Sequence, residues 1–280
     1  MNSQSNPTAR KSIVVTGGAS GLGLAMTTHF ASQGHIVTIL DVNTESGLVV
    51  VKDLSSQHPQ ATVAFKKADV SSWQDLAAVF KEIHQDVGKV DIVMANAGIS
   101  EQGASSLVPV DETEPSQPRL KALDVNLTGT IYTVKLATHY FQKNVPDPST
   151  GLKGTIICTA SNAGLYPFPT APLYAASKAG VIGLVRSLGP LLERSNIQIN
   201  ALAPAVLLSN IAPSQDLFKG MFITPMSTLI KGVEKFIKEP KVTGAVAEIH
   251  GENVTIRPPL DIVDEDSRKN LENFWNLGYA

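Results

Sequence analysis

The 280-residue chain has one cysteine, Cys158. No internal disulfide can form, and a reducing compartment is the natural expectation. It also lacks an excess of either charge. Its 23 Lys and Arg stand against 25 Asp and Glu, a net −2, so no basic footprint for nucleic acid is present. Charged residues make up 17% and hydrophobic residues 43%, a balance that speaks against global disorder and provides for a large core. No apolar run approaches the length of a membrane span. The polar residues 1–11 hold no apolar stretch of the signal-peptide kind and read as a flexible tail. These absences point to a soluble, cytoplasmic protein. The length fits one α/β domain with insertions, and no linker or internal repeat divides it.

Residues 13–23 read I-V-V-T-G-G-A-S-G-L-G. A short apolar run from Ile13 to Val15 suits a buried strand, and residues 24–30 are helix-like. Gly17, Gly18, Gly21 and Gly23 stand between them. Strand, glycine turn and helix is the layout that sets a diphosphate on a helix N-terminus. Glycine lets a ligand approach the backbone without meeting a Cβ. The free N–H groups of the helix's first turn, with its dipole, favour phosphate. The spacing Gly17-x-x-x-Gly21-x-Gly23 differs from G-x-G-x-x-G, and a turn without a ligand has the same local pattern.

Residues 35–41 have the β-branched, nearly continuous apolar character of a strand buried on both faces of a parallel sheet. They end in Asp41, roughly 20 residues past the turn. A carboxylate there accepts hydrogen bonds from both hydroxyls of an adenosine ribose and repels a 2′-phosphate. No Arg or Lys lies between Gly17 and Gly23, or directly after Asp41, to neutralise such a phosphate. This favours NAD over NADP; capping the next helix is the other reading of Asp41. A helix over 44–56, a strand over 62–67, a helix over 73–87 and a strand over 90–95 follow. Ser71 or Ser72 suits the N-cap of the 73–87 helix. Asp69 stands at a strand's C-terminal end, where ligands bind in open sheets.

Asn96-Ala97-Gly98 forms a second small-residue turn. After a loop-like stretch, 99–118, with Gly103 and Pro109, one long helix is expected over 119–143. Asn126 and Gly129 are poor choices for its interior. A turn-rich excursion, 145–154, precedes a strand over 155–159, and Ser161 lies just beyond it. A Pro-rich loop, 166–172, leads to a helix over 173–194 and a strand over 197–202 ending at Pro204. The alternation predicts right-handed crossovers. The expected fold is a single α/β Rossmann domain, a doubly wound parallel sheet of about seven strands with helices on both faces.

Tyr174-Ala175-Ala176-Ser177-Lys178 completes a more specific set. The Thr16–Gly23 turn, Asn96-Ala97-Gly98, Asn126, Ser161 and Tyr174-x-x-x-Lys178 occur in this order. Together they resemble the short-chain dehydrogenase/reductase family over about residues 12–250. The resemblance implies Ser161, Tyr174 and Lys178 as a catalytic triad, with Asn126 completing a tetrad. It places Gly17, Ser20, Gly21, Leu22 and Gly23 along an NAD diphosphate and Asp41 on the ribose. Asp69 and Val70 fall at the adenine. Asn96, Ala97 and Gly98 lie between ribose and nicotinamide, and Pro204, Leu207 and Ser209 beyond it. No metal site is expected.

The residues themselves support that chemistry. Tyr174 and Lys178 are one helical turn apart and share a face. A free tyrosine, with a pKa near 10, is a poor base at neutral pH. A nearby ammonium and a positively charged nicotinamide favour the phenolate. Tyr174 then takes an alcohol's proton as hydride leaves, while Ser161 holds the same oxygen. Tyr166 and His250 are the other candidates for the base. Read singly, Tyr174 and Lys178 also suit a solvated helix face, Ser161 a cap, and Asn126 a partner for a buried backbone group.

The chain departs from the family pattern at Ala205, where Gly is usual, and at Ser209, where the family has Thr. Residues 205–225 are expected to form a substrate lid. Its apolar Leu207, Leu208, Ile211, Leu217, Phe218, Met221 and Phe222 suit either a hydrophobic substrate or ordinary packing. Ile249-His250-Gly251-Glu252 resembles the 15-hydroxyprostaglandin dehydrogenase branch. Residues 251–280 read as an extension whose aromatic end, Phe274, Trp275 and Tyr279, closes the pocket or packs on another subunit. The expected function is oxidation of a secondary alcohol, in a homodimer or homotetramer. The family implies that the 119–143 and 173–194 helices pair between subunits. An NADPH-dependent carbonyl reductase and a non-catalytic nucleotide-binding regulator are the competing readings.

Overall fold

The computed structural model describes residues 10–101, 107–108, 113–209, 211 and 215–278. Gly103, Pro109, Tyr279 and residues 1–9 of the expected tail lie outside the described residues, as does the side chain of Leu217. Arg10 and Lys11 are tied to the body: the Arg10 guanidinium donates to the Gly34 carbonyl at 2.9 Å, and Lys11 pairs with Asp147.

Strands and helices alternate along the chain. β1 (Ser12–Thr16), α1 (Gly21–Ser32), β2 (Ile36–Asp41), α2 (Thr44–Gln57), β3 (Thr62–Lys67), α3 (Trp73–Val87) and β4 (Ile92–Ala95) form the first half. The second half holds α4 (Lys121–Leu123), a π-helical turn (Asp124–Thr128), α5 (Gly129–Phe141) and β5 (Gly154–Thr159). It continues with α6 (Pro172–Glu193), β6 (Ile197–Pro204), α7 (Met226–Lys238), β7 (Val246–His250), β8 (Asn253–Ile256) and α8 (Glu265–Asn276). The sheet order is β3-β2-β1-β4-β5-β6-β7-β8. Every pairing is parallel except β7 with β8.

The doubly wound α/β fold is therefore present, with eight strands in place of about seven. The additional strand lies inside the expected extension. Gly251, at φ +50°, and Glu252 reverse the chain so that His250 faces Asn253. A two-residue hairpin needs a positive φ, which glycine adopts without a Cβ penalty.

Alternation along the strands sends side chains to two cores. Val14, Val93 and Ile156 point to α3, α5 and α6, with Phe80, Phe141 and Val185. Ile13, Val15, Met94 and Ile157 point to α1 and α7, with Phe30, Val233 and Phe236. The expected 119–143 helix is three segments, because a π turn interrupts it at Asn126. The Gly129 N–H reaches back five residues to the Asp124 carbonyl. Gly129 is explained by packing: a Cβ there would stand 2.7 Å from Val70 Cγ2. On the two helices expected to pair between subunits, Val134, Leu136, Val181, Ile182 and Val185 lie in the core of the single chain, and Ile131 is exposed.

Buried amides close the far side of the sheet. Gln198 on β6 donates to the carbonyls of Phe236, Glu239 and Val242 at 3.0, 2.9 and 2.8 Å, joining the end of α7 to the approach to β7. Gln198→Ala removes a donor shared by three carbonyls; Val242 keeps the Asn200 amide at 2.7 Å and Glu239 keeps the Val242 N–H at 3.0 Å. The substitution is expected to cost about 2 kcal/mol or more in a urea denaturation experiment; a loss within the scatter of exposed substitutions contradicts this account.

Candidate active site

The glycine turn is built by exclusion. Gly17, at φ +64°, brings its Cα so close to the next strand's end that a Cβ would lie 2.9 Å from Ala97 Cα. A Cβ on Gly23 would lie 2.0 Å from the Gly17 carbonyl oxygen and 2.7 Å from Asn96 Nδ2. Thr16 knots the two turns together: its hydroxyl accepts from the N–H groups of Asn96 at 2.9 Å and Ala97 at 3.1 Å. Asn96 donates to the Thr16 carbonyl at 3.1 Å and accepts from the Thr159 hydroxyl at 3.0 Å. The amide of Asn96, expected along the cofactor, is thus committed to holding β1, β4 and β5 in register.

Beside this knot lies a cleft of about 440 Å³, lined by Ala19, Ser20, Gly21, Leu24, Ser46, Leu208 and Ser209. Ser20 is the N-cap of α1, and its side chain makes no capping hydrogen bond. The first turn of α1 therefore presents backbone N–H groups to an anion. The absent Cβ atoms, the uncapped helix and the cleft suit a dinucleotide diphosphate. Gly17, Gly21 and the Ser20 region would hold that group. Leu22 packs against the core beneath the turn.

Asp41 ends β2 beside the turn, where its carboxylate accepts from Ala19 N at 3.2 Å and Asn43 N at 3.0 Å. The cap of α2 is Asn43, whose side chain accepts from Ser46 N. Asp69 follows β3 and accepts from the Ser71 hydroxyl at 2.6 Å and the Ser71 N–H at 2.9 Å. These bonds, with Lys121 nearby, hold its carboxyl below the usual range. Val70 is buried against Gly129. Pro204 closes β6. Leu207 is packed in the core on the α1 and α7 side, and its neighbour Leu208 lines the cleft instead. Leu24 and Ser46 had no motif to mark them; only their proximity in the fold brings them to the cleft.

Ser161, Tyr174 and Lys178 come together past the end of β5. Ser161 caps a 3-10 turn, Asn162–Gly164, by accepting from Ala163 N at 3.2 Å. Tyr174 and Lys178 share the first turns of α6 as their spacing requires, with Lys178 Nζ 5.7 Å from the Tyr174 ring centroid. Lys178 Nζ donates to the Thr159 carbonyl at 2.8 Å. Gly98 leaves it room: a Cβ there would lie 3.3 Å from Nζ and 3.2 Å from Asn126 Oδ1.

Burial sets the electrostatics. Lys178 is 2% exposed, and desolvation lowers its pKa to about 8. The adjacent Cys158 thiol is pushed up to about 12 by burial. Burial also raises the Tyr174 phenol above its usual range, partly offset by a hydrogen bond with Ser161. Among the chain's own groups burial dominates; the lowering expected from Lys178 together with a positively charged nicotinamide is not supplied by the chain alone.

Asn126 is wholly buried at the π turn. Its Oδ1 accepts from Ile99 N at 2.8 Å, and its Nδ2 donates to Ile99 O at 2.9 Å and to Ser177 Oγ at 3.0 Å. The other candidate bases are engaged elsewhere. Tyr166 donates to Glu248 at 2.8 Å, and His250 shares a hydrogen bond with Thr255 at 2.9 Å across the β7–β8 hairpin.

Residues 11–218 match the short chain dehydrogenase family, and the chain belongs to it. The short-chain dehydrogenase/reductase prx4 of Penicillium roqueforti is 38% identical over 204 residues, which are 72% of this chain and 56% of that protein. The chain thus spans little more than half the length of this relative. The 5′-hydroxyaverantin dehydrogenase of Dothistroma septosporum is 30% identical over 277 residues, 95% of this chain and 89% of that one. Among solved structures, levodione reductase superposes with a TM-score of 0.73 at 23% identity, covering 86% of this chain and 96% of that one. That likeness speaks for the fold alone.

A lysine whose charged form is disfavoured by the fold binds its proton more tightly in the unfolded chain. For Lys178 this difference spans the window from about 8 to the ordinary 10.5. Stability linked to this group therefore rises with pH through that window, as the buried charge is shed. Lys178→Met removes the penalty, which is at most on the order of 3 kcal/mol. The variant's stability relative to the parent is expected to be highest near neutral pH and to decline above pH 8. Urea unfolding of both proteins across this range checks it; a pH-independent difference contradicts it.

Proposed function

We propose that the chain is an NAD-dependent dehydrogenase that oxidises a secondary alcohol of a hydrophobic, lipid-like or secondary-metabolite substrate to a ketone. The observation that carries this reading is the buried Tyr174 phenol, with Ser161 acting on it and the Lys178 ammonium 5.7 Å from its ring centroid. Bound nicotinamide supplies the hydride acceptor. Tyr174 removes the alcohol proton as general base, and Ser161 holds the same oxygen. Lys178, protonated below about pH 8, is the charge on the chain that favours the phenolate. Asn126 holds α6 in place through Ser177. The exposed Leu208, Met221 and Phe222 support an apolar substrate. The similarity to 5′-hydroxyaverantin dehydrogenase, an enzyme named for a hydroxylated substrate, supports an alcohol as the reacting group.

Several finer readings belong to the same proposal. Asp41 selects NAD by accepting from the ribose and repelling a 2′-phosphate. The Ile249-to-Glu252 sequence supports a place near the 15-hydroxyprostaglandin dehydrogenase branch, without transfer of its substrate. The exposed Ile131, Phe274 and Trp275 support assembly as a homodimer or homotetramer, and the lone buried thiol of Cys158 supports a cytoplasmic site.

Two experiments test the core of it. Asp41→Ala should narrow the gap between NAD and NADP affinity measured by calorimetric titration; equal affinities in the parent overturn the assignment. With an alcohol found by screening, Tyr174→Phe should lower turnover by about 10² to 10⁴ with NAD affinity nearly unchanged. Ser161→Ala should act in the same direction. Near-normal turnover of Tyr174→Phe places the base elsewhere, and NAD binding without turnover across a broad panel favours the regulator.

A further inference from the structure

The segment that follows β7 reaches back to the loop between Ser161 and Tyr174. Glu248 is a carboxylate on β7 that is only 8% exposed. Its register partner on β6 is Ala203, next to the C-terminal end of that strand. A buried carboxylate needs donors. Glu248 Oε2 accepts from the Tyr166 hydroxyl at 2.8 Å and lies 3.5 Å from Arg257 Nε. The Arg257 guanidinium also lies over the Tyr166 ring, 5.9 Å from its centroid.

Arg257 is itself fixed. Its N–H donates to the Val246 carbonyl at 2.8 Å. The Arg186 guanidinium donates to the carbonyls of Arg257 and Pro258 at 3.1 and 2.9 Å. Arg186 lies two turns beyond Lys178 on α6. The segment after β8 is thus stitched to the helix of Tyr174 at one point and to the loop before Tyr174 at another. Phe168 of that loop lies 6.3 Å from the Tyr174 ring, centroid to centroid.

We propose that Arg257, through Glu248 and Tyr166, is a positioning residue for the 165–171 loop and so sets the substrate-side wall beside Tyr174. Arg257 lies beyond the family-matched residues 11–218, so the wall is shaped by a part of the chain outside that match. Arg257 acts on substrate only through Glu248 and Tyr166. The proposal rests on the reading that Tyr174 faces the substrate. Its first test does not depend on that reading.

Hydrogen exchange is measured on the parent, Tyr166→Phe, Arg257→Met and the double variant, all without ligand. Each single change should speed exchange in residues 165–171, and the double should be no faster than the more affected single, because both act through one carboxylate. Arg257→Lys should restore much of the protection. Unchanged exchange in this loop, or effects that add, overturn the proposal. With a screened alcohol, both single variants should raise KM roughly threefold or more at nearly constant kcat, with NAD affinity unchanged. A fall in kcat at unchanged KM overturns it. Absence of any turnover in the parent refutes the enzymatic reading while the exchange result stands.

Discussion

One carboxamide joins three segments that are far apart in sequence. Asn126 answers both backbone groups of Ile99 and the hydroxyl of Ser177 from a wholly buried position. Ile99 continues the turn that packs on Gly17, and Ser177 precedes Lys178. The distance between the glycine turn and α6 is therefore set by this side chain together with the Thr16–Asn96 knot. The helix yields to make the contact possible: the π turn aligns the amide with both segments, and Thr130 Oγ1 donates to the Asn126 carbonyl at 2.7 Å. A buried amide satisfied on both ends is rigid, since any shift leaves a polar group unpartnered.

That rigidity carries a burden. Burying Lys178 costs stability near neutral pH, and its ammonium donates to the Thr159 carbonyl. Tyr174 is likewise held in its neutral form by burial. Burial works against the charged form of both groups, yet Lys178, at about 8, keeps its proton at neutral pH.

The fold was legible because its signals are local. β-branched runs, glycines after β1 and small residues after β4 each report their own segment. The candidate site residues were legible one at a time, but their partners were not. One added residue in a helical turn leaves no clear mark on a 3.6-residue period, so one continuous helix was read although Asn126 and Gly129 marked a weak point in it. Leu207 and Leu208 are adjacent and equally apolar; only the path of the chain after Pro204 sends one to the core and the other to the cleft. β8 is four residues of mixed polarity, too short for periodicity to reveal. Tyr166 and Glu248 are 82 residues apart, and nothing in either neighbourhood announces the other.

Cys158 lies in the middle of this arrangement, on β5 between β4 and β6, with no exposed surface. Only a thiolate reacts readily with alkylating reagents, and burial holds this thiol at about 12. Because β5 is a central strand, exposing its sulfur requires the sheet to open on both sides. The lone thiol thus serves as a chemical clock for global unfolding. Cysteines introduced on the surface can be labelled in the native protein while Cys158 stays silent, with no need to remove it first.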